Sequence, residues 1–389
     1  MRVLVVQRSL RPPGGGNAVA AWMLHALADR HEVSTLTATS WSPAETNAFY
    51  GTSIPADRVS RRVIPPPLSW LARMPEHRGT RLRLCSVLRY ARPLADRFDL
   101  MVTADNYGAF ARPGIQYLHF PAALQPTPTR LAPLVNRYFA FCDWLVGIPW
   151  SAAAANLTLA NSRWTAEGLA RLYAGGDNTL GSSTVLYPPV LDPGDGEPWE
   201  RRSNTFLCIG RFHGSKRMEI AMSIVRRIRK DVMPDARLVI VGSAVDRDYT
   251  RRLHRLAAPD RDWIDFREDL SRADLNALMG RCRYGIQAME CEHFGMAAAE
   301  MTRAGAVVFT HASGGAVEVV GNDPRLLWQT EADAVALVAA VARDRAVRDA
   351  TRARLRTHSA TFSAGRFVDQ FNDLVDGWQR RHQRPHHVS

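Results

Sequence analysis

Short β-branched runs alternate with helically patterned stretches along almost the whole chain, and this rhythm limits the fold more than any other feature. Strands are expected at Arg2–Val6, Glu32–Leu36, Ile115–Leu118, Leu157–Ala160 and Thr184–Leu186. A second set is expected at Thr205–Ile209, Arg237–Val241, Trp263–Phe266, Tyr284–Gln287 and Ala306–Phe309. Strands separated by helices pair in parallel, because a crossover helix is what returns the chain to the same end of a sheet. The rhythm breaks once, across Tyr187–Pro198, where four prolines and two glycines exclude a regular element. The chain therefore reads as two doubly wound α/β halves, residues 1–190 and 199–361, with a linker between them. A length of 389 residues suits two such domains. Ligands are expected at the carboxyl ends of the strands, in a crevice between the halves.

Charge narrows the partners. Fifty Lys and Arg against 38 Asp and Glu give a net +12, a balance that suits nucleic acid, an anionic membrane or phosphorylated ligands. Only Lys216 and Lys230 are lysines, and the arginine skew in an alanine-rich chain reads as compositional bias rather than a nucleic-acid footprint. Five scattered cysteines without a C-x-x-C pair argue against a disulfide framework or a zinc site and for a reducing compartment. The opening apolar run is too short for a signal peptide, so a cytoplasmic protein is expected. The uncharged stretch from Trp144 to Asn161 contains Gly147, Pro149, Ser151 and Asn156 and reads as a buried helix followed by a strand, not a membrane span.

Three segments carry chemistry. After the first strand, Gly14-Gly15-Gly16 leads into a helical run, where glycine lets the backbone approach a ligand and the helix N-terminus offers free amides to an anion. It fails as a dinucleotide fingerprint: Val19 occupies the third small position and no acidic residue closes the second strand. A plain turn and a phosphate cradle both fit. The second segment is Gly210-Arg211-Phe212-His213-Gly214-Ser215-Lys216, in which a guanidinium fork and a point charge together suit a diphosphate. The third, and most specific, is Glu292-His293-Phe294-Gly295-Met296 running to Glu300. Ala297–Ala299 reads as a helix start, leaving the amides of Phe294, Gly295 and Met296 open, with Glu292 and Glu300 able to reach one ligand.

Gly210-Arg211 with Lys216, Glu292-x7-Glu300 and Ser313-Gly314-Gly315 resemble the retaining nucleotide-sugar glycosyltransferases of family 4, which have the GT-B fold. Leu118-His119-Phe120-Pro121, Ala160-Asn161-Ser162, Leu186-Tyr187-Pro188-Pro189 and Glu292-His293-Phe294-Gly295 further resemble the GDP-mannose-dependent mannosyltransferases that extend dolichol-linked oligosaccharide. The resemblance implies two Rossmann-like domains with a cleft between them and a C-terminal helix, within residues 362–389, crossing back to the first. It implies that Arg211 and Lys216 hold the donor diphosphate, Glu292 contacts the donor sugar and Glu300 takes the ribose hydroxyls. Arg267 would border the base, Gly15, Gly16, Gly210, His293, Phe294, Gly295 and Met296 would complete the donor site, and His119 would stand near the transferred sugar.

The aromatic spacing Phe362, Phe367, Phe371, Leu374 and Trp378 suits the returning helix. No carboxylate of the first half is marked out as a nucleophile, so front-face substitution is expected, with no cofactor and no metal. Asp246-Arg247-Asp248 and Asp260-Arg261-Asp262 read as solvated faces rather than a magnesium site. The expected partners are a GDP-sugar or related donor and a lipid-linked or small-molecule acceptor. A nucleotide-sugar epimerase of the same fold, and a nucleic-acid-binding α/β protein, are the competing readings.

The charge also has a place. Nine arginines fall within residues 61–97 against Glu76 and Asp96, interleaved with Leu82, Leu84, Leu88 and Leu94 as in an amphipathic surface helix. Beside a plain solvated helix face, this fits a basic acceptor-side patch for an anionic membrane or a phosphorylated acceptor; docking on a membrane would make the protein peripheral to the inner membrane face.

Overall fold

The computed structural model describes residues 1–73, 80–120, 132–173, 183–194 and 196–382. The chain divides into two compact units, Met1–Pro189 with the segment from Ala364, and Val190–Ser363.

Unit 1 is a seven-stranded parallel sheet: β1 (Arg2–Gln7), β2 (Glu32–Thr37), β3 (Val59–Val63), β4 (Leu100–Thr103), β5 (Ile115–Leu118), β6 (Leu157–Ala160) and β7 (Ser183–Val185). Their order is β3-β2-β1-β4-β5-β6-β7. Val3, Leu4, Val5 and Val6 are all fully buried, as expected of a central strand covered by helices on both faces. β1 pairs β2 on one side and β4 on the other, so the strand order reverses at β1. Such a reversal opens a crevice at the carboxyl ends of the two strands.

Unit 2 repeats the plan with β8 (Ser203–Ile209), β9 (Arg237–Gly242), β10 (Ile264–Glu268), β11 (Cys282–Gln287), β12 (Val307–His311) and β13 (Leu327–Trp328), in the order β10-β9-β8-β11-β12-β13. Its reversal lies between β8 and β11. Both units thus have the Rossmann-like strand order.

All ten expected strands are present, with ends within two residues of those read from the sequence. The three unforeseen strands hide for physical reasons. β3 lies at the sheet edge and only Val59 of its five residues is buried, and β13 has only two residues; the four residues of β4 follow the short 3-10 helix Arg92–Arg97 closely and merge with it in the sequence. The helix Ala364–His382 belongs to unit 1 and packs against the helix Gly15–Ala28, burying Phe367, Phe371, Val375 and Trp378. Val375 thus takes the place expected of Leu374. Phe362 lies in unit 2 instead, its ring 5.4 Å from that of Phe294.

Two expectations are corrected. No buried helix runs through Trp144: the helix Ala132–Val146 ends at Gly147, whose φ of 68° glycine adopts without penalty, and Trp144 is 74% exposed. Nor is the arginine-rich segment a surface helix. The helix Thr80–Ala91 buries Leu84, Cys85, Val87 and Leu88 in the core of unit 1, and Arg83 is only 6% exposed. Arg81 is held by Asp143 at 3.0 Å and lies over the Phe139 ring. Among the described side chains, the exposed cations of the segment are Arg61 and Arg62 on the edge strand β3, with Arg89, Arg92 and Arg97; residues 74–79, which include Glu76 and Arg78, and the side chain of Arg73 lie outside what is described. Among the described residues, no helix is long and apolar enough to cross a membrane.

Candidate functional site

At the reversal point of unit 2, two loops leave adjacent strands and meet. The loop after β8 begins at Gly210, where a Cβ would touch the Lys216 stem at 3.4 Å, so the absence of a side chain lets the lysine lie across the strand end. Lys216 Nζ donates to Glu292 Oε2 at 2.5 Å, and Gln287 Nε2 at the end of β11 donates to the same oxygen at 3.0 Å. Sequence positions 76 residues apart are thereby joined in one charged unit. Glu292 is 9% exposed, so burial strengthens this charge-assisted bond relative to a surface pair.

The main chain of Glu292 is pinned as firmly as its carboxylate. Gly315 N donates to Glu292 O at 2.6 Å, and Gly314 (φ 78°) lies so close that any Cβ would collide with the Glu292 backbone. Ser313 Oγ accepts from Cys291 N at 2.8 Å and stands 2.7 Å from His311 Nδ1. Arg217 pairs with Glu290. Burial lowers the His311 pKa, with the Glu290 carboxylate opposing that shift.

The helix Met296–Arg303 starts just beyond. Its N-cap is Gly295 at φ 95°, without a side-chain cap, and a Cβ there would lie 3.1 Å from that of Ala316. Uncapped first-turn amides and the positive end of the helix dipole make this a place for an anion or for hydroxyl oxygens. One turn on, Glu300 accepts from Arg272 Nη1 at 3.0 Å. Burial raises the Glu300 pKa, and the Arg272 guanidinium counteracts it. His293 is pushed down by burial, against the pull of Glu292.

The expected residues of unit 2 therefore separate. Lys216, Glu292 and Gly210 form one cluster, and Glu300 stands on the helix that opens at Gly295 and Met296. Arg211 is exposed and its side chain makes no ion pair or hydrogen bond among the described residues. Arg267, on β10, bonds Asp265 at 2.7 Å on an exposed surface. The cation that reaches Glu300 is Arg272, which the sequence reading passed over; its only signal is a place directly after Ser271, the N-cap of the helix Arg272–Met279. The D-x-D carboxylates are engaged elsewhere: Asp246 caps the helix Arg247–Ala257, Asp248 pairs with Arg251, Asp260 with Arg226 and Asp262 with Arg229.

Unit 1 gathers a different set at its own reversal point. Gly15 opens the helix Gly15–Ala28, and a Cβ on Gly16 would come within 3.3 Å of His119 Nε2. His119 leaves β5 with that nitrogen 2.8 Å from Ala104 O, so the ring carries its hydrogen on Nε2 and donates it to the carbonyl. Asn106, at φ 72°, accepts with one Oδ1 from His119 N at 2.7 Å and Phe120 N at 3.0 Å. Asn161 Nδ2 donates to His119 O at 3.0 Å. Asp105 is buried beside them, but both its oxygens accept from Arg8, one from the main-chain N at 2.5 Å and the other from Nε at 2.7 Å. A carboxylate so occupied braces β1 against β4 and is a poor nucleophile.

Comparison with known proteins agrees with this geometry. Residues 195–357, within unit 2 but for its first five and last six residues, match the family model described as Glycosyl transferases group 1. The chain is homologous to proteins named GDP-Man:Man(3)GlcNAc(2)-PP-Dol alpha-1,2-mannosyltransferase. It is 25% identical to that of Kluyveromyces lactis over 53% of this chain and 40% of the relative, and 25% identical to the human one over 60% and 48%. It thus spans less than half of the length of these curated relatives. Among solved structures, Anabaena Alr3699/HepE in complex with UDP and glucose superposes with a TM-score of 0.68 at 17% identity, over 97% of this chain and 100% of that one. WaaG, a glycosyltransferase involved in lipopolysaccharide biosynthesis, gives 0.68 at 15% over the same shares. At these identities the structures establish the GT-B fold.

Proposed function

We propose that the protein is a hexosyltransferase of retaining, family 4 type that takes its sugar from a nucleoside-diphosphate donor, a GDP-sugar first, without a metal. The observation that carries this reading is the double pairing at the unit 2 reversal point, Lys216 with Glu292 and Arg272 with Glu300, around an uncapped helix N-terminus. A nucleoside diphosphate presents two kinds of group to such a site. Its phosphates meet Lys216, the exposed Arg211 and the helix amides, while its ribose hydroxyls donate to Glu300. Glu292, fixed by main chain and side chain alike, is placed to accept from hydroxyls of the sugar.

Transfer then needs no protein nucleophile. An acceptor hydroxyl attacks the anomeric carbon on the face the diphosphate is leaving, the bond from that carbon to the phosphate oxygen breaks, and its electron pair stays on the phosphate. That oxygen takes the acceptor proton, so mass and charge balance without a base. Lys216 and the helix amides stabilise the charge as it grows, an effect of about 3 kcal/mol for each well-placed donor. Unit 1 supplies the acceptor side, with His119 oriented by Ala104 and Asn106. The mannosyltransferase relatives favour a lipid-linked saccharide acceptor handled at the cytoplasmic face of a membrane, with a small-molecule acceptor as the alternative.

The test is a thermal-shift screen of GDP-, UDP- and dTDP-sugars, followed by transfer assays with chelator present. GDP-mannose should give the largest stabilisation, transfer should persist in chelator, and the product should keep the donor's anomeric configuration. No shift with any nucleotide sugar, turnover lost in chelator, or an inverted product each overturns the corresponding part of the reading. Release of an epimerised donor as sole product would replace the transferase with an epimerase.

A further inference from the structure

The helix Ala132–Val146 is apolar on two opposite sides. One side is conventional: Cys142 and Val146 are fully buried and join Leu84, Cys85 and Leu88 in the core of unit 1. On the other side Leu134, Arg137, Phe141 and Trp144 follow one another at spacings of three, four and three, which places them along a single stripe. Leu134 is 68%, Phe141 49% and Trp144 74% exposed, and the rings of Phe141 and Trp144 stack with centroids 5.8 Å apart. Single exposed apolar residues are ordinary; a contiguous stripe ending in a stacked aromatic pair marks a contact surface.

Charge chooses among possible occupants. Arg137 stands within the stripe and is exposed. Where the helix ends, the guanidinia of Arg92 and Arg89 come up against Gly147, and both residues are exposed. The one acidic residue of the helix, Asp143, lies about half a turn away from the stripe and is held by Arg81 at 3.0 Å. A second copy offering the same stripe would set arginines against arginines with no carboxylate to answer them. A bilayer with anionic headgroups answers both features, since aromatic rings settle at the headgroup boundary while arginines bind the lipid phosphates.

We propose that the Leu134–Arg137–Phe141–Trp144 face, with Arg89 and Arg92 at its end, docks the protein on an anionic membrane surface. The contact expected from the arginine-rich segment is thereby carried by two of its exposed members and by a helix outside it. Docking requires neither donor nor acceptor, so it stands or fails separately from the transfer chemistry.

Flotation of the full chain with phosphatidylcholine vesicles, with and without phosphatidylglycerol, tests it. The wild-type protein should float with the anionic vesicles and much less with the neutral ones. The double change Phe141→Ser with Trp144→Ser should lower the bound fraction at least about tenfold, and Arg89→Gln with Arg92→Gln by about fivefold for each arginine on anionic vesicles only. Because these side chains are exposed, circular dichroism and nucleotide-sugar transfer to a soluble acceptor analogue should stay at wild-type levels. Three outcomes overturn the proposal: no flotation with either vesicle, equal flotation of the wild type and the Phe141/Trp144 variant, or concentration-dependent self-association that this variant abolishes without any vesicle binding.

Discussion

The two units share a strand order and place their candidate residues at the same point of it, yet they build those sites from different materials. In unit 2 the strand ends carry charged pairs, Lys216–Glu292 and Arg272–Glu300, with carboxylates largely withdrawn from water. In unit 1 the corresponding groups are held by uncharged partners or paired internally: His119 is held by a carbonyl and by the amide side chains of Asn106 and Asn161, while the Asp105–Arg8 pair is closed on itself. A scaffold that repeats has thus been given one end suited to a phosphorylated, hydroxyl-rich ligand and one suited to an uncharged group. On the proposed function, charge would be kept where a leaving group develops it and neutralised internally where a hydroxyl is oriented.

The contrast is breakable by substitution. The largest effect is expected from Lys216→Ala, which removes the cation from the leaving group and leaves Glu292 unpaired; kcat/KM for donor should fall about 10²- to 10³-fold, with a cooperative thermal transition retained. Wild-type turnover in that variant would remove the proposed site. Gly314→Ala comes next. The left-handed φ and the collision with the Glu292 main chain mean that the loop must move, and donor KM should rise roughly tenfold.

Glu300→Gln should raise donor KM by about tenfold through loss of an ionic hydrogen-bond acceptor. It also tests a sign. Burial raises the Glu300 pKa, so the carboxylate proposed to accept from ribose should be lost as pH falls, and at a higher pH than for an exposed glutamate. Wild-type donor KM should therefore climb on acidification through that range, and the glutamine variant should be flat there. The smallest change belongs to unit 1: Asn106→Ala leaves two amides without their acceptor and should lower kcat a few-fold while donor affinity holds. A donor-affinity loss in Asn106→Ala matching that of Lys216→Ala would erase the distinction between the units.

Much of the scaffold was legible because buried parallel strands are written as short β-branched runs, and the linker as a density of proline and glycine. Lys216 stood out because lysine is almost absent from this chain, and Glu292 and Glu300 because the small residues between them announce a helix start. The rest depended on direction rather than type. Arg272 and Arg267 look alike in sequence, and only the packed helix turns one toward Glu300 while the strand leaves the other on Asp265. Asn106 escaped because the strand before it, β4, was not read from the sequence, so no strand end was located there. The arginines of residues 61–97 misled for the opposite reason: spacing alone does not say that Arg81 points into the packing between two helices or that Arg83 is buried, nor that the exposed apolar stripe lies on the other helix of that pair.

Calorimetric titration of GDP into the full-length wild-type chain, Lys216→Ala and Asn106→Ala tests the central claim most directly, that the Lys216–Glu292 cluster of unit 2 holds the nucleotide. Saturable one-site binding is predicted for the wild type, weakened at least about tenfold in Lys216→Ala and within about twofold of wild type in Asn106→Ala. Equal affinities in the wild type and Lys216→Ala, or losses of the same size in both variants, would contradict it.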